Sequence, residues 1–351
     1  MRTRILRGGG HWDEVEPVWR ALAPDRRGSS FMRSTAWAEA VTQAGQGDNA
    51  RWVLIDDDDG PLAALPLEVR RRSRGPLHLR ILTNDRTSDG LVADRARPAD
   101  LRAAVLAAMA AGGEPVDVID LHGLRDGWGL LRLAVAGTQG LVTERNHGGH
   151  SVLATDLSSD AWSAAAGKNL RAALRKARNR FERRGELTVT EATDADALGP
   201  ALDEFVAVES SGWKADLGAL ANRPAQHATV RRFLRTAAAD GAAAVRTLRL
   251  DGRPAAAQIT YVADGTLDLL KVAYDDDLAD LSPSNLLMAD LVRSCCDRPD
   301  VDRIDLVTRQ PWHDRWHPEA LPTYRSRDPN LRRPAGVALR VAGEVQQIRS
   351  G

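Results

Sequence analysis

Four lysines stand among 44 arginines in this chain, and a lysine can do chemistry that an arginine cannot. A desolvated lysine can release its proton near neutral pH, whereas an arginine stays charged. A GC-rich genome would also produce the arginine excess, so the composition leaves both interpretations open. Because such a drift replaces lysines that are not needed, the remaining ones are candidate site residues. They are Lys168, Lys176, Lys214 and Lys271.

Two of these lysines belong to a strongly basic segment. Eight cationic side chains lie between residues 168 and 184, and Glu182 is the one acid among them. At helical spacing, Lys168, Arg171 and Arg175 fall on one stripe, and apolar residues from Leu170 to Phe181 fall on another. Such a helix is either a solvated basic face or a platform for a phosphate-bearing ligand, including RNA.

A second candidate anion site follows the acidic segment 275–280. Ser282 is a good N-cap and Pro283 a good first helical residue, so we expect a helix to begin here. Its first N–H groups would point outward and bind an anion; they belong to Ser284, Asn285 and Leu286. The aspartates just before them would repel that anion.

The elements that would position these residues occur twice. Residues 51–70 and 245–262 each read as a strand, an Asp-Gly turn and a strand. Both copies continue with another strand, a polar loop, an Ala/Leu-rich helix and a last strand, which is Pro115–Leu121 or Asp300–Leu306. The repeat predicts two domains, residues 1–160 and 161–351, with a helix at 163–184 between them. The tail from about residue 327 is expected to be a loop with one late strand at 337–341.

Composition restricts the class of protein. Charged residues at 27% and apolar residues at 43% are typical of a globular protein, and the net charge of zero confines any nucleic-acid contact to a local patch. We expect neither a membrane span nor a secretion signal. Cys295 and Cys296 are adjacent and cannot join distant segments, which favours the cytoplasm. The histidine pairs 147/150 and 313/317 lack further ligands at metal spacing, so no metal site is expected.

The element order resembles the core of the GCN5-related N-acetyltransferases (GNAT). Four segments resemble, more specifically, the acetyltransferase-like family associated with cellulose-synthesis gene clusters: Glu209–Lys214, Asp251–Ala257, Lys271–Asp275 and Ser282–Leu287. That family has two fused GNAT folds and is similar to the Fem peptidyltransferases, which use aminoacyl-tRNA. The resemblance implies an α/β (α+β) protein with two tandem GNAT-like domains, each a mixed, mostly antiparallel sheet flanked by helices. This chain departs from the family at Ser284, where glycine is usual, and at Trp312–Trp316, where Tyr-Lys is frequent.

The resemblance also implies an acyltransferase in which a neutral amine attacks a thioester or ester carbonyl. Acyl-CoA is the preferred donor, as a co-substrate with no tightly bound cofactor, and the acceptor is a small-molecule or peptide-like amine. Aminoacyl-tRNA held by the basic helix is the alternative donor, and no DNA is expected as a partner. A degenerate GNAT fold that binds a ligand without catalysis is an alternative of another class.

The implied site lies in the second half, and the first half, which lacks counterparts of Lys271 and Ser282, would shape the acceptor pocket. Lys271 would stabilise the oxyanion or a leaving phosphate-linked group, Tyr274 would act as an acid, and Asp275 or Glu209 would serve as base or amine anchor. Structural roles in the core, a turn or the surface are the alternatives. Lys271 and Tyr274 can reach one site only if a β-bulge intervenes. Donor-binding candidates are Ser282, Ser284, Asn285, Lys168, Arg171 and Arg175; acceptor-binding candidates are Trp213, Lys214, Trp312 and Arg315.

Overall fold

The computed structural model describes residues 1–23, 30–43, 48–74, 77–84, 89–126, 129–135, 141–212 and 218–348. The chain divides into two compact units. The first unit comprises Met1–Pro24, Met32–Gly149 and Pro322–Gly351, and the second comprises Asp25–Phe31 and His150–Leu321.

The described residues of the first repeat form ten α-helices and β-strands. They are β1 (Arg2–Arg7), α1 (Trp12–Leu22), α2 (Thr35–Gln43), β2 (Ala50–Asp57), β3 (Gly60–Arg74), β4 (Leu77–Thr83), β5 (Leu91–Val92), α3 (Pro98–Ala111), β6 (Val118–Leu124) and α4 (Gly129–Val135). The hairpin β2–β3 and the helix α3 lie where the sequence predicts them. The apolar faces of these strands pack with Leu101, Val105 and Met109 of α3 to form the core.

The second repeat follows β7 (Leu141–Ala154). It contains α5 (Ser159–Ala165), α6 (Lys168–Arg184), β8 (Leu187–Ala192), α7 (Ala195–Ser211), α8 (Pro224–Ala238), β9 (Ala243–Leu250), β10 (Arg253–Ala263), β11 (Gly265–Tyr274), α9 (Pro283–Cys296) and β12 (Val301–Asp305). The chain continues with β13 (Glu319–Pro329) and α10 (Pro334–Ile348). Helices α6 and α9 bury apolar side chains against the strands, including Phe181 and Leu287.

Both units have the same sheet topology. The strand order is β1-β2-β3-β4-β6-β13 in the first unit and β8-β9-β10-β11-β12-β7 in the second. The pairs β4–β6 and β11–β12 are parallel, and the other described pairs along these two orders are antiparallel. The predicted fold class, α/β with mixed and mostly antiparallel strand pairing flanked by helices, is confirmed.

The last strand of each sheet comes from the segment that follows the other repeat. Strand β7 follows the first repeat but pairs with β12, and β13 follows the second repeat but pairs with β6. The two units are therefore discontinuous in sequence, unlike the ranges 1–160 and 161–351. Residues 150–160 cluster with the second unit and residues 322–351 with the first.

Two predicted elements are wrong. The helix expected at 163–184 is two helices, because Ala166 and Gly167 adopt extended ψ angles of 134° and 146° between α5 and α6. The tail is not a loop with one late strand but contains β13 and α10. Val337 and Val341 are spaced by four residues, which fits a helix face as well as a strand. Within the described part of the chain, no helix is long and apolar enough to cross a membrane.

Candidate acyl-transfer site in the second unit

A cavity of about 510 Å³ lies in the second unit at the divergence of β11 and β12. The pairing of these two strands ends at Asp268 and Asp305. Beyond this point, the edge of β11 from Leu269 to Tyr274 forms one wall. The first turn of α9 and side chains between Leu306 and Arg315 form the other walls. The cavity therefore joins an open strand edge to a helix N-terminus.

Strand β11 contains a β-bulge, but the bulge does not lie between Lys271 and Tyr274, where a shared site was expected to require one. Lys271 pairs with Ile259 and Leu269 with Thr260, so Leu270 is the extra residue. The bulge precedes Lys271, and the pairing from Lys271 to Tyr274 is regular. The two side chains therefore point to opposite faces of the sheet. Both still line the cavity, because the cavity lies at the edge of the strand rather than on one face.

Lys271 and Glu209 form a buried ion pair on the wall of the cavity. Lys271 Nζ donates to Glu209 Oε1 at 3.0 Å, and the N–H of Leu220 donates to Oε2 at 2.7 Å. The Glu209 side chain is fully buried, whereas that of Lys271 is 20% exposed. Glu209 thus accepts a hydrogen bond at each carboxylate oxygen and holds the ammonium group at the cavity. This arrangement suits an anchor for Lys271 better than a free base.

Tyr274 keeps its proton at neutral pH. Burial raises the pKa of the phenol, and the negative charge and hydrogen bond of Asp276 raise it further. A protonated phenol on a cavity wall can donate a hydrogen bond or a proton to a developing anion. The raised pKa keeps the phenol protonated, as the predicted acid role requires, but it also makes the phenol a weaker acid, and the hydroxyl is hydrogen-bonded to Asp276.

Asp275 lies next to the cavity residues, but its carboxylate is bonded to groups outside the cavity. Its Oδ1 accepts the N–H of Asp277 at 3.1 Å, and its Oδ2 is paired with Arg253. The residue is buried and is not part of the cavity wall. The structure therefore gives Asp275 the turn-forming role that was its alternative. Among the described residues, no group of three or more His, Cys, Asp or Glu could hold a metal ion.

Helix α9 begins at the predicted place, but its first turn differs in detail. Ser282 occupies the N-cap position with φ of 57°, and its side chain makes no capping hydrogen bond. Its carbonyl oxygen accepts the N–H groups of Asn285 and Leu286, so two of the three predicted outward donors are used within the turn. Ser284 lines the cavity and has no positive φ. The glycine usual at this position is therefore not required by the backbone.

The aspartates before α9 repel an anion less than the sequence indicates, because three of the four are paired with arginines. Arg253 contacts both Asp275 and Asp277, the latter at 3.5 Å. Asp280 lies 3.4 Å from Arg184, and its carbonyl accepts from Arg180. These contacts also show that Glu182 is not the only acid that offsets the charge of α6.

The three predicted donor-binding cations of α6 lie outside the cavity. Lys168, Arg171 and Arg175 are exposed on the helix surface, and the Arg171 guanidinium donates to the carbonyl of Ala164 in α5. The cations that reach the loop before α9 belong to another stripe of the same helix, represented by Arg180. A role of the first stripe in donor binding thus requires a ligand that extends over the surface of α6.

The segment 311–316 brings two predicted acceptor residues to the cavity. Trp312 and Arg315 line it, and Arg315 donates to Asn285 Oδ1 at 3.0 Å. The other two predicted acceptor residues, Trp213 and Lys214, lie outside the described residues.

The sequence reasoning overlooked Gly212 and His313, which also line the cavity. A Cβ atom at Gly212 would come within 2.8 Å of the Tyr274 carbonyl oxygen, so glycine permits this close approach. His313 is buried, and burial lowers its pKa to about 4, which keeps the imidazole neutral. Its Nδ1 accepts the N–H of Gln310 at 3.3 Å. The motif containing Gly212 and the Trp/His-rich segment were the available signals for these residues.

Comparisons with known proteins agree with this fold. Residues 168–316 match the family described as acetyltransferase (GNAT) domain. FemX has 13% sequence identity and a TM-score of 0.56, with 93% of this chain and 97% of FemX covered. The C-terminal domain of a putative lysylphosphatidylglycerol synthetase from Agrobacterium fabrum has 15% identity and a TM-score of 0.55, with 93% and 95% covered. A tandem GNAT protein from the clavulanic acid biosynthesis pathway has 13% identity and a TM-score of 0.51, with 93% and 98% covered. No curated protein sequence matches the chain.

These likenesses to solved structures show the shared fold, and they do not bear on an association with cellulose-synthesis gene clusters. The matched range lies within the second unit, which also contains the cavity. Residues 168–316 therefore match a GNAT acetyltransferase domain, which supports an acyltransferase, and the chain has two tandem GNAT-like folds.

Proposed function

We propose that the second unit transfers an acyl group from acyl-CoA to the amine of a small-molecule or peptide-like acceptor. The observation that carries this proposal is the cavity, which combines a strand edge, a helix N-terminus and a protonated phenol in one place. Its volume of about 510 Å³ is within the range of small-molecule sites. The N-terminal end of α9, with Ser284 and Arg315, would donate hydrogen bonds to the phosphates.

The strand edge would orient the reacting carbonyl. Asp275 N–H donates to Ala255 on β10, so the main-chain groups of the preceding residue, Tyr274, point to the other edge of β11. An acyl oxygen in the cavity would accept a hydrogen bond from this edge. Lys271 Nζ, held by Glu209, would stabilise the negative charge that develops on this oxygen.

The acceptor amine would then attack the acyl carbon directly. The new C–N bond forms, the C–S bond of the thioester breaks, and the leaving thiolate takes a proton from Tyr274. The proton lost by the amine passes to water in the open cavity. In this scheme Glu209 acts by holding Lys271, and Asp275 acts by shaping the turn before α9.

Binding and turnover of acetyl-CoA test the proposal. Coenzyme A at 100 times its Kd should stabilise the native protein by about 2.7 kcal/mol, seen as a higher melting temperature. Acetyl-CoA should release free thiol in the presence of a suitable amine. Lys271→Met should lower turnover, whereas Lys176→Met on the exposed part of α6 should not. Absence of any shift with coenzyme A or its thioesters would contradict the proposal.

Aminoacyl-tRNA is the second candidate donor. It is favoured by the exposed cations Lys168, Arg171 and Arg175 on α6 and by the similarity in fold to FemX. In this case, binding of tRNA should weaken steeply with salt, and Arg171→Glu with Arg175→Glu should abolish it. Arg235→Glu on α8 is a control for the charge change. Activity that resists ribonuclease would exclude this donor.

A non-catalytic binding protein is the remaining alternative. It predicts that Lys271, Tyr274 and Asp275 can be replaced together by alanine without loss of function in the cell. Loss of that function in a variant that still folds would exclude it.

A further inference from the structure

The two units differ at the end of their parallel strand pair. Hydrogen bonds continue between the strands in the first unit, whereas the strands separate in the second. In the first unit the parallel pairing of β4 and β6 ends at Thr83 and Asp120. The next residue, Asn84, then bridges the strands, because its side chain accepts from the N–H of His122 and donates to its carbonyl, both at 2.9 Å. These two bonds extend the pairing by one step. The two strands are therefore still joined by hydrogen bonds at this position.

In the second unit the equivalent position turns away from β11. After Asp305, the N–H of Thr308 donates to the carbonyl of Leu306 at 2.6 Å, and Val307 between them has φ of 61°. This is the γ-turn with a positive φ at its centre, which is rare and strained. A β-branched residue is a poor choice for such a backbone. Leu306 and Thr308, on either side of the turn, both line the cavity.

Two buried side chains hold this turn. Asp305 Oδ1 accepts the N–H of Val307 at 2.7 Å. Asp305 Oδ2 lies 2.9 Å from Nδ1 of His150 on β7, and both residues are more than nine-tenths buried. The imidazole fixes the carboxylate, and the carboxylate fixes the N–H of the strained residue. Neither side chain is part of the cavity wall.

We propose that Asp305, oriented by His150, is a positioning residue that maintains the γ-turn at Val307 and thereby keeps the cavity open for the donor. The donor part of this inference rests on the proposed function, whereas the effect on the backbone does not. Backbone strain of this kind persists only where the surroundings enforce it. The hydrogen bond from the Val307 N–H to Asp305 stabilises the strained turn. This turn separates β12 from β11 at the position where Asn84 joins β4 to β6 in the first unit.

The proposal predicts a specific rescue. Asp305→Ala removes the contact, so Val307 should relax to negative φ and the cavity should narrow. The affinity for coenzyme A should then fall about tenfold or more, because the released strain is of that order. Val307→Gly tolerates positive φ without help. The double variant Asp305→Ala/Val307→Gly should therefore bind coenzyme A within about threefold of the wild type, although its melting temperature stays low.

Crystal structures of the wild type and these variants, without ligand, give the first readout. The expected result is the γ-turn in the wild type, its loss in Asp305→Ala and its return in the double variant. Asp305→Asn retains an oxygen that can accept the N–H of Val307, so it should keep the turn. This variant provides the test if the alanine variant does not fold. A turn that survives Asp305→Ala, or is lost in Asp305→Asn, would overturn the proposal.

Titration calorimetry with coenzyme A gives the second readout. Weak binding by Asp305→Ala that glycine at 307 does not restore would also overturn the proposal, because general destabilisation would then explain the loss. If the wild type itself fails to bind coenzyme A while the turn behaves as expected, the donor assignment fails and the positioning role stands. The two failures are therefore distinguishable.

Discussion

The ion pair between Lys271 and Glu209 allows the energetics of the site to be tested quantitatively. The carboxylate is fully buried and accepts one hydrogen bond from Lys271 and one from Leu220. Lys271→Met removes the cation and leaves a buried carboxylate with a single donor. Breaking a buried pair from one side costs about 3–5 kcal/mol of unfolding free energy. We expect a loss of this size for Lys271→Met.

Removing the negative charge instead of the positive one leaves an unpaired ammonium group. In Glu209→Gln the ammonium group persists, but it is 20% exposed at the cavity and can be hydrated. The expected cost is about 1–3 kcal/mol. The double variant has neither charge, so its loss should be smaller than the sum of the two single losses by about 1–3 kcal/mol.

Urea unfolding of the wild type and the three variants measures this coupling, and the acyl-transfer rate of the same four proteins separates stability from chemistry. Losses that add within about 0.5 kcal/mol would show that the two side chains are not coupled. If Lys271 acts on the reacting carbonyl, the double variant should regain stability but not activity. Recovery of activity together with stability would reduce Lys271 to a structural residue.

Three further predictions concern single residues of the cavity. Burial lowers the pKa of His313 from 6.5 to about 4. Between these pH values the unfolded chain binds more protons than the folded one, so the free energy of unfolding should fall by about 3 kcal/mol as the pH decreases from 6.5 to 4. His313→Gln should flatten that part of the pH profile in urea melts; an unchanged slope would be evidence against this pKa. Gly212→Ala places a Cβ 2.8 Å from the Tyr274 carbonyl and should weaken coenzyme A binding, whereas Gly199→Ala, with no heavy atom within 4 Å, should not. Equal affinities would show that the close approach does not matter. Tyr274→Phe should lower kcat about 100-fold or more with little change in KM, and a wild-type kcat would exclude the acid role.

The parts of the fold that depend on local sequence were predictable. The repeated hairpins, the helix α9 and the strand β11 follow from turn residues, caps and apolar periodicity, and they lie where the sequence places them. These local signals also located much of the cavity, because β11 and the start of α9 supply two of its walls. A repeated element order is informative since each copy supports the interpretation of the other.

The remaining features depend on contacts between distant segments. No local pattern shows that β7 pairs with β12 or that β13 pairs with β6, because these partners are more than 140 residues apart in the chain. The ion pair of Lys271 with Glu209 and the pairing of Asp305 with His150 are of the same kind. The bulge at Leu270 and the positive φ of Val307 also depend on tertiary contacts, since neither residue type favours them.

Titration calorimetry of the intact chain with coenzyme A decides whether the second unit is the donor site. We predict one molecule bound per chain, because the second unit has the cavity at β11 and β12, whereas Asn84 joins the corresponding strands of the first unit. We also expect binding to weaken in Gly212→Ala and to persist in Asn84→Ala. Two molecules per chain, binding that is lost only in Asn84→Ala, or no heat of binding at all would contradict the assignment.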